Sequence, residues 1–422
     1  MSESRLLLLV SAVQFVNILD FMMVMPLGPD FARELHISLS HLGWIGGSYT
    51  AAAAISSLLA SRFLDRFDRR SALAVAMLGL VVGTACGGVA RGLPSLLFAR
   101  VIAGAFGGPA TSLSLSIIAD VIPAERRGRA LGIVMGAFSV ASVLGVPAGL
   151  ELAQLGGWRL PFFALAGLGL VVTGSAILMM PSLRIHLAAE QPRLRTSLVQ
   201  FLSGQSVLLA LLATFSVMMA AFAVIPNISS FVQGNLGYPR GELGVLYLAG
   251  GGVSFVAMRV TGPYIDRLGA AFISALGTAL FVAVLGSAFV YEQPLPAMLI
   301  FVTFMTAMAL RNVSLSTLSS RVPAPHERAR FMSLQSAVQH IASALGAIVS
   351  AQLLHERAGR GIDGMPNVAS LSIVLGLALP FLLQRIERQL QARDALQRAS
   401  GGPAAPTEPA QLATVDTDLG QA

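Results

Sequence analysis

The chain has 422 residues, of which 55% are hydrophobic and only 12% are charged, whereas soluble domains carry about 25% charged residues. A soluble core could not bury so much apolar sequence, so the composition favours an all-α protein that spans a membrane. The net charge of +7 arises from 28 arginines with no lysine, and the single cysteine, Cys86, excludes an internal disulfide and a cysteine metal cluster.

Twelve apolar stretches are long enough to cross a bilayer as helices, which takes about 20 residues. They cover approximately residues 6–28, 42–64, 71–91, 94–121, 128–152, 158–180, 205–232, 242–264, 270–291, 295–320, 330–354 and 366–386. Polar residues link the two sets of six, and the Ala- and Pro-rich end of the chain is typical of disorder. We therefore expect a six-helix bundle over 1–180, a cytoplasmic linker over 181–203, a second six-helix bundle over 204–390 and a disordered cytoplasmic tail over 391–422.

Landmarks recur along the chain at an offset of 200 or 201 residues. Pro26 returns as Pro226, and the polar segment at 61–70 returns at 262–269. A repeat of this kind predicts two structurally similar halves joined head to tail.

The repeated segments, SRFLDRFDRR at 61–70 and GPYIDRLG at 262–269, resemble Gly-x-x-x-Asp-Arg-x-Gly-Arg-Arg. That pattern is the signature of the major facilitator superfamily between helices 2 and 3, repeated between helices 8 and 9. Ser61 and Asp68 replace the two glycines of the first copy. Because aspartate tolerates left-handed backbone better than most residues, we expect the turn to survive at Asp68. The resemblance covers about residues 5–390 and implies twelve transmembrane helices in two pseudo-symmetric six-helix bundles, with the substrate site between them.

Further motifs resemble the drug:proton and sugar efflux branch of this superfamily. Leu19–Asp20 resembles an acidic helix 1 motif, Arg100 with Gly104 resembles the helix 4 signature, and the loop GWR at 157–159 is similar to one in efflux proteins. In helix 5 the antiporter signature is partly matched, and close packing of small residues explains the same positions equally well. The helix-packing candidates are Gly136, Gly145, Pro147 and Gly149.

The same resemblance implies a gate on the inner face. In the family, the aspartate of the first signature lies near the start of helix 11, and a later arginine of the signature pairs with an acid that ends helix 4. Ordinary topology-setting charge is the alternative interpretation. The inner-gate candidates are Asp65, Arg66, Arg69, Asp120, Asp266 and Arg267.

Polar side chains inside the predicted spans indicate mechanism, because burying charge in hydrocarbon is costly. Asp20 is the only acid deep in a span, and a rise of about 1.5 Å per residue places it level with Arg100 in the outer half of the membrane. In the resembled family, helices 1, 4, 7 and 10 line the central cavity, so Asp20 and Arg100 are the proton-coupling candidates. A structural ion pair remains open, as do local partners for Arg311 and a neutral, packed His340. The substrate-cavity candidates are Asn17, Asn227, Arg311, Asn312 and His340.

We therefore predict a proton-coupled efflux transporter of drugs, sugars or metabolites in the inner membrane of a bacterium. Two alternatives stay open: a proton symporter or facilitator for a small organic anion, and a sensor or scaffold that transports nothing. The sequence shows no P-loop, zinc motif or nucleophile elbow, so we expect no enzyme, metal or cofactor beyond the proton gradient. The expected partners are a small molecule and the lipid bilayer, without nucleic acid, and we expect a monomer.

The arginines also predict the orientation of the chain. With a cytoplasmic N-terminus, 19 arginines fall in inner segments and 6 in outer segments, and the other three lie within spans. Both termini should therefore be cytoplasmic. A topology reporter fused after Arg388 should report a cytoplasmic location, and one inserted at Gly234 an external location. Reversal at both sites would contradict the orientation.

Overall fold

The computed structural model describes residues 2–60, 66–183, 201–291, 295–323, 327–357 and 361–399. We call the face of the molecule that carries α2 the outer face, following the predicted orientation. The first half contains α1 (Glu3–Met23), α2 (Gly28–Leu35), α3 (Leu42–Ala60), α4 (Arg69–Gly88), α5 (Leu93–Val121), α6 (Ala124–Met135), α7 (Ala137–Val140), a π-helical turn (Ala141–Gly145), α8 (Val146–Gly156) and α9 (Arg159–Met179).

The second half repeats this plan. It contains α10 (Gln205–Gly234), α11 (Leu243–Leu268), α12 (Ala270–Leu285) with a π-helical turn (Gly286–Val290), α13 (Ala297–Ser319), α14 (Arg328–Leu353) and α15 (Met365–Ala399). Short 3-10 turns precede α3 (Leu39–His41) and α11 (Arg240–Glu242). An antiparallel hairpin of β1 (His355–Arg357) and β2 (Gly361–Asp363), which we did not predict, joins α14 to α15.

Ten helical segments in the described residues are long and apolar enough to cross a membrane, with α6 to α8 counted as one segment. The helices α3 and α14, at the predicted second and eleventh spans, are not among these ten. Both face the other half of the protein, where α3 packs along α14, so they need a less apolar surface than lipid-facing helices. The all-α class is confirmed, while the full count of twelve spans stays a prediction.

The structure describes the expected linker and the expected tail only in part. Helix α15 continues to Ala399, beyond the expected start of the tail at 391, and residues 400–422 lie outside the described residues. Most of the expected linker, residues 184–200, also lies outside them.

The two halves meet at their outer ends. A Cβ on Gly43 of α3 would collide with the backbone oxygen of Ala347 on α14, and one on Gly47 would lie 2.9 Å from Ile348 Cγ1. Between described residues, the hydrogen bonds and ion pairs that join the halves also lie at this end. The described contacts thus hold the two halves together at the outer face.

The fifth span packs closely on α1. A Cβ on Gly145 would lie 2.9 Å from Leu19 Cδ1, and one on Gly149 would lie 3.1 Å from Met23 Sδ. Pro147 follows the π-helical turn near the start of α8, and a Cβ on Gly136 would meet only backbone oxygens of its own helix. These contacts are the close approach that small residues allow between membrane helices.

Candidate functional site

Asp20 and Arg100 form a fully buried ion pair inside the N-terminal half. Arg100 Nη1 lies 2.9 Å from Asp20 Oδ2 and Nη2 lies 3.2 Å from Oδ1. The exposed fractions of the two side chains are 0% for Asp20 and 1% for Arg100. Bidentate pairing of this kind is the strongest way to hold a guanidinium on a carboxylate, and it compensates for burial of both charges.

Three other helices complete the surroundings of the pair. Thr84 of α4 donates its hydroxyl to Asp20 Oδ1 at 2.6 Å. The Arg100 guanidinium carbon lies 5.8 Å from the centroid of the Tyr49 ring and 5.5 Å from that of the Phe162 ring. A Cβ on Gly87 would lie 2.7 Å from Phe162, so glycine is needed there for these groups to converge. The pair therefore lies among α1, α3, α4, α5 and α9.

A polar chain continues inward from the pair. Tyr49 donates its hydroxyl to Asn17 Oδ1 at 2.8 Å. Asn17 Nδ2 in turn donates to Gly107 O at 2.9 Å and to Thr111 Oγ1 at 2.6 Å. Since Asn17 lies one turn before Asp20 on α1, the pair and this chain form one connected site on the same helices.

The other cavity candidates have separate neighbours. Asn227 is fully buried and donates to Ser350 Oγ on α14 at 3.1 Å. Arg311 is fully buried and is directed toward α12 and α15, away from the interface between the halves. Asn312 and His340 are half-buried. Among the described residues, no hydrogen bond connects any two of the five cavity candidates.

The inner-gate candidates are placed in part. Arg69 Nε lies 3.0 Å from Asp120 Oδ2, which is the contact that the family resemblance implied. Arg66 and Arg267 are exposed. Asp65 and the side chain of Asp266 lie outside the described residues.

Asp68 does not adopt the left-handed backbone that we expected at this signature position. Its φ is −55°, and its Oδ1 accepts the backbone N–H of Arg70 at 3.1 Å, so it caps the start of α4. The same carboxylate accepts from Leu183 N at 2.9 Å and from Ser182 at 2.8 Å. Helix capping thus replaces the glycine turn, because an aspartate oxygen satisfies helical N–H groups that glycine leaves free.

An ion pair that the sequence did not predict joins the halves at the outer face. Asp30 on α2 accepts from Arg240 Nε at 2.9 Å and from Arg240 Nη2 at 2.6 Å. Arg33 Nη2, on the same helix as Asp30, also donates to it at 2.6 Å. We call Asp30 and Arg240 the outer clasp, since Asp30 belongs to the first half and Arg240 to the second.

Comparison with known proteins agrees with this architecture. The family model of the Major Facilitator Superfamily matches residues 10–347 and, in a second match, residues 210–406. The chain belongs to the Major Facilitator Superfamily. Membership makes the protein a multi-pass membrane transporter and not an enzyme.

Two relatives in this superfamily confer drug resistance. A chloramphenicol resistance protein of Streptomyces lividans is 28% identical over 380 residues, which cover 89% of this chain and 95% of the relative. A tetracenomycin C resistance and export protein of Streptomyces glaucescens is 27% identical over 172 residues, which cover 41% of this chain and 32% of the relative.

Solved structures of superfamily members share the fold. A D-xylose–proton symporter matches with a TM-score of 0.71 at 20% identity, over 89% of this chain and 96% of that one. A bacterial homologue of the human lysosomal transporter Spinster, in an inward-facing and occupied conformation, matches with a TM-score of 0.70 at 18% identity, over 92% of this chain and 98% of that one. The predicted major facilitator fold is therefore confirmed.

Several residues of the site escaped the sequence interpretation. Tyr49 and Thr84 hold the polar chain and the ion pair, and both lie in predicted spans at depths that helical rise would have matched to Asp20. The outer clasp was not predicted, because the arginines of the predicted loops were used only to determine the orientation of the chain. Asp30 and Arg240 are 210 residues apart, which differs from the repeat offset of 200 or 201, so the repeat did not pair them either.

Proposed function

We propose that the protein exports a small drug-like molecule across the cytoplasmic membrane of a bacterium in exchange for protons. The observation that carries this proposal is the buried Asp20–Arg100 pair, in which Asp20 is the deep carboxylate of the N-terminal half. An acid held inside a membrane protein by a matched arginine is a common element of proton pathways. We further propose a monomer with both termini cytoplasmic and with bundles over 1–180 and 204–390.

Protonation of Asp20 is the proposed coupling step. A neutral carboxyl weakens the charge-assisted hydrogen bonds that hold Arg100 Nη1 and Nη2. The released guanidinium rests against Tyr49, whose hydroxyl holds Asn17. Tyr49 belongs to α3, the helix that packs on α14 of the other half. A change at the pair therefore has a short physical route to the interface that must open and close.

The relatives guide the choice of substrate. One is named for resistance to chloramphenicol and another for resistance to and export of tetracenomycin C, so we propose an amphipathic antibiotic and choose chloramphenicol as the probe. In a drug-sensitive host, expression of the protein should lower cellular chloramphenicol, and a proton uncoupler should restore it. Unchanged accumulation with inserted protein would argue against chloramphenicol export.

The organic-anion alternative loses its main support in this structure. It rested on two deep arginines against one deep acid, but Arg100 is neutralised by Asp20. Arg311 is directed away from the interface between the halves. The sensor or scaffold alternative predicts no flux at all, so any protein-dependent transport in vesicles excludes it.

The inner gate gives a separate prediction. Asp65→Asn should slow transport on the order of tenfold while expression and ligand affinity stay normal, because a latch shifts a conformational equilibrium and does not touch substrate. Initial rates and binding isotherms of reconstituted protein are the measurements. Glu356→Gln, which removes an exposed carboxylate at the outer hairpin, is the control. An unchanged rate in fully inserted Asp65→Asn protein would exclude the latch.

A further inference from the structure

Arg311 is a buried cation without a counter-charge among the described residues. Its side chain is fully buried where α12, α13 and α15 meet. The guanidinium carbon lies 4.0 Å from the centroid of the Phe281 ring, and Nη1 lies 3.8 Å from Met308 Sδ. Neither neighbour carries negative charge, and Nε and Nη2 are buried with no hydrogen-bond acceptor in the described part of the chain.

Arg100 provides the matched comparison in the other half. It is equally buried, but Asp20 accepts from both of its terminal nitrogens. Leaving a buried charge uncompensated is among the most destabilising arrangements in a protein, and more so inside a membrane. The environment of Arg311 therefore calls for an anion that the protein chain itself does not supply there.

Two glycines leave backbone-only surfaces around the Arg311 side chain. A Cβ on Gly376 of α15 would lie 3.3 Å from Arg311 Nη2 and 3.2 Å from the Phe281 ring. A Cβ on Gly277 of α12 would lie 3.1 Å from Arg311 Cγ. Gly277 therefore lets α12 pack on the aliphatic stem of Arg311, and Gly376 leaves the α15 side of Nη2 without a side chain of its own.

We propose that Arg311 forms a binding site for a small inorganic anion, such as chloride, inside the C-terminal half. Its free groups, Nε and Nη2, are N–H donors with no acceptor capacity, which suits an anion and excludes a metal cation. The site is separate from the proposed transport pathway, since α12 and α15 lie away from the interface between the halves. The anion site gives the protein a requirement for an anion in addition to the protons used in export.

Thermal unfolding of the purified, full-length protein tests the site with chloride as the probe. Chloride is exchanged for gluconate, a much bulkier anion, at constant pH and ionic strength. The wild-type unfolding temperature should rise with chloride and saturate, as ligand linkage requires. Bromide should act like chloride, and Arg311→Gln should abolish the response.

Two variants make the outcome decisive. Arg259→Gln removes an exposed arginine of the same half and should keep the full chloride response. Gly376→Ala keeps the charge of Arg311 and adds a methyl group that would lie 3.3 Å from Nη2, so it should need several-fold more chloride for half of the shift. The proposal is overturned if chloride and gluconate act alike on the wild type, or if Arg311→Gln retains the response. Should Arg311→Gln fail to fold, an undiminished chloride affinity in Gly376→Ala overturns it.

Discussion

Replacing Asp20 by asparagine should reduce gradient-driven transport to the level of protein-free liposomes while downhill exchange of substrate continues. Asparagine keeps the size of the side chain and an oxygen that accepts from Thr84 and Arg100, but it cannot gain or lose a proton. The variant therefore resembles the permanently protonated carrier, which can change conformation with substrate but cannot be driven by protons.

The measurements are chloramphenicol uptake into proteoliposomes with and without a pH gradient, and counterflow between equal concentrations. Loss of one partner of a buried pair costs about 3–5 kcal/mol of folding free energy, so the variant must be shown to fold. Counterflow by the variant supplies that evidence. Asp394→Asn is the matched control: it makes the same chemical change at another aspartate that binds an arginine, and it should keep its dependence on the gradient. Gradient-driven accumulation in Asp20→Asn would remove Asp20 from the coupling mechanism.

Breaking the outer clasp should shift the protein toward the outward-facing state. The exposed fractions of the clasp side chains are 20% for Arg240 and 12% for Asp30, so solvent screens the pair only in part. Charge-assisted hydrogen bonds of this kind contribute about 1.5–3 kcal/mol. Arg240→Gln should therefore increase the outward-facing population on the order of tenfold or more.

Thiol labelling reports this shift. Ile45 is 1% exposed and lies beside Pro226 of the other half. In a Cys86→Ser background, Ile45→Cys should react faster with an impermeant maleimide from outside when Arg240→Gln is present. Arg33→Gln is the control, because Arg33 binds Asp30 within a single helix and its loss leaves the clasp intact. Equal labelling in Arg240→Gln and Arg33→Gln would show that the clasp does not hold the outer face closed.

Sequence reasoning located the buried acid and its arginine because two simple quantities sufficed. Charge inside an apolar run is rare, and helical rise converts residue number into depth. Asp20 and Arg100 could therefore be placed at one level, and the structure shows them in contact. The Arg69–Asp120 contact followed from the family resemblance, which implied a pair at these two positions.

The direction in which a buried side chain points was beyond the same reasoning. Depth placed Arg311 in the membrane, but rotation about α13 decides whether it meets the interface between the halves or the α12–α15 side, and the helix has no clear apolar stripe to fix that rotation. Contacts between loops were equally out of reach. Asp30 and Arg240 meet because two bundles close over one another, and Asp68 caps α4 because Leu183 returns beside it, arrangements that local sequence does not specify.

The central claim is exchange of substrate against protons, and proton movement caused by substrate tests it most directly. Proteoliposomes with a pH-sensitive dye inside, with no imposed gradient, receive chloramphenicol from outside. Proton antiport predicts that the interior becomes alkaline as substrate enters and protons leave, and that Asp20→Asn abolishes the signal. Acidification would show symport, and substrate entry without any pH change would show facilitated diffusion; either result would contradict the proposed mechanism.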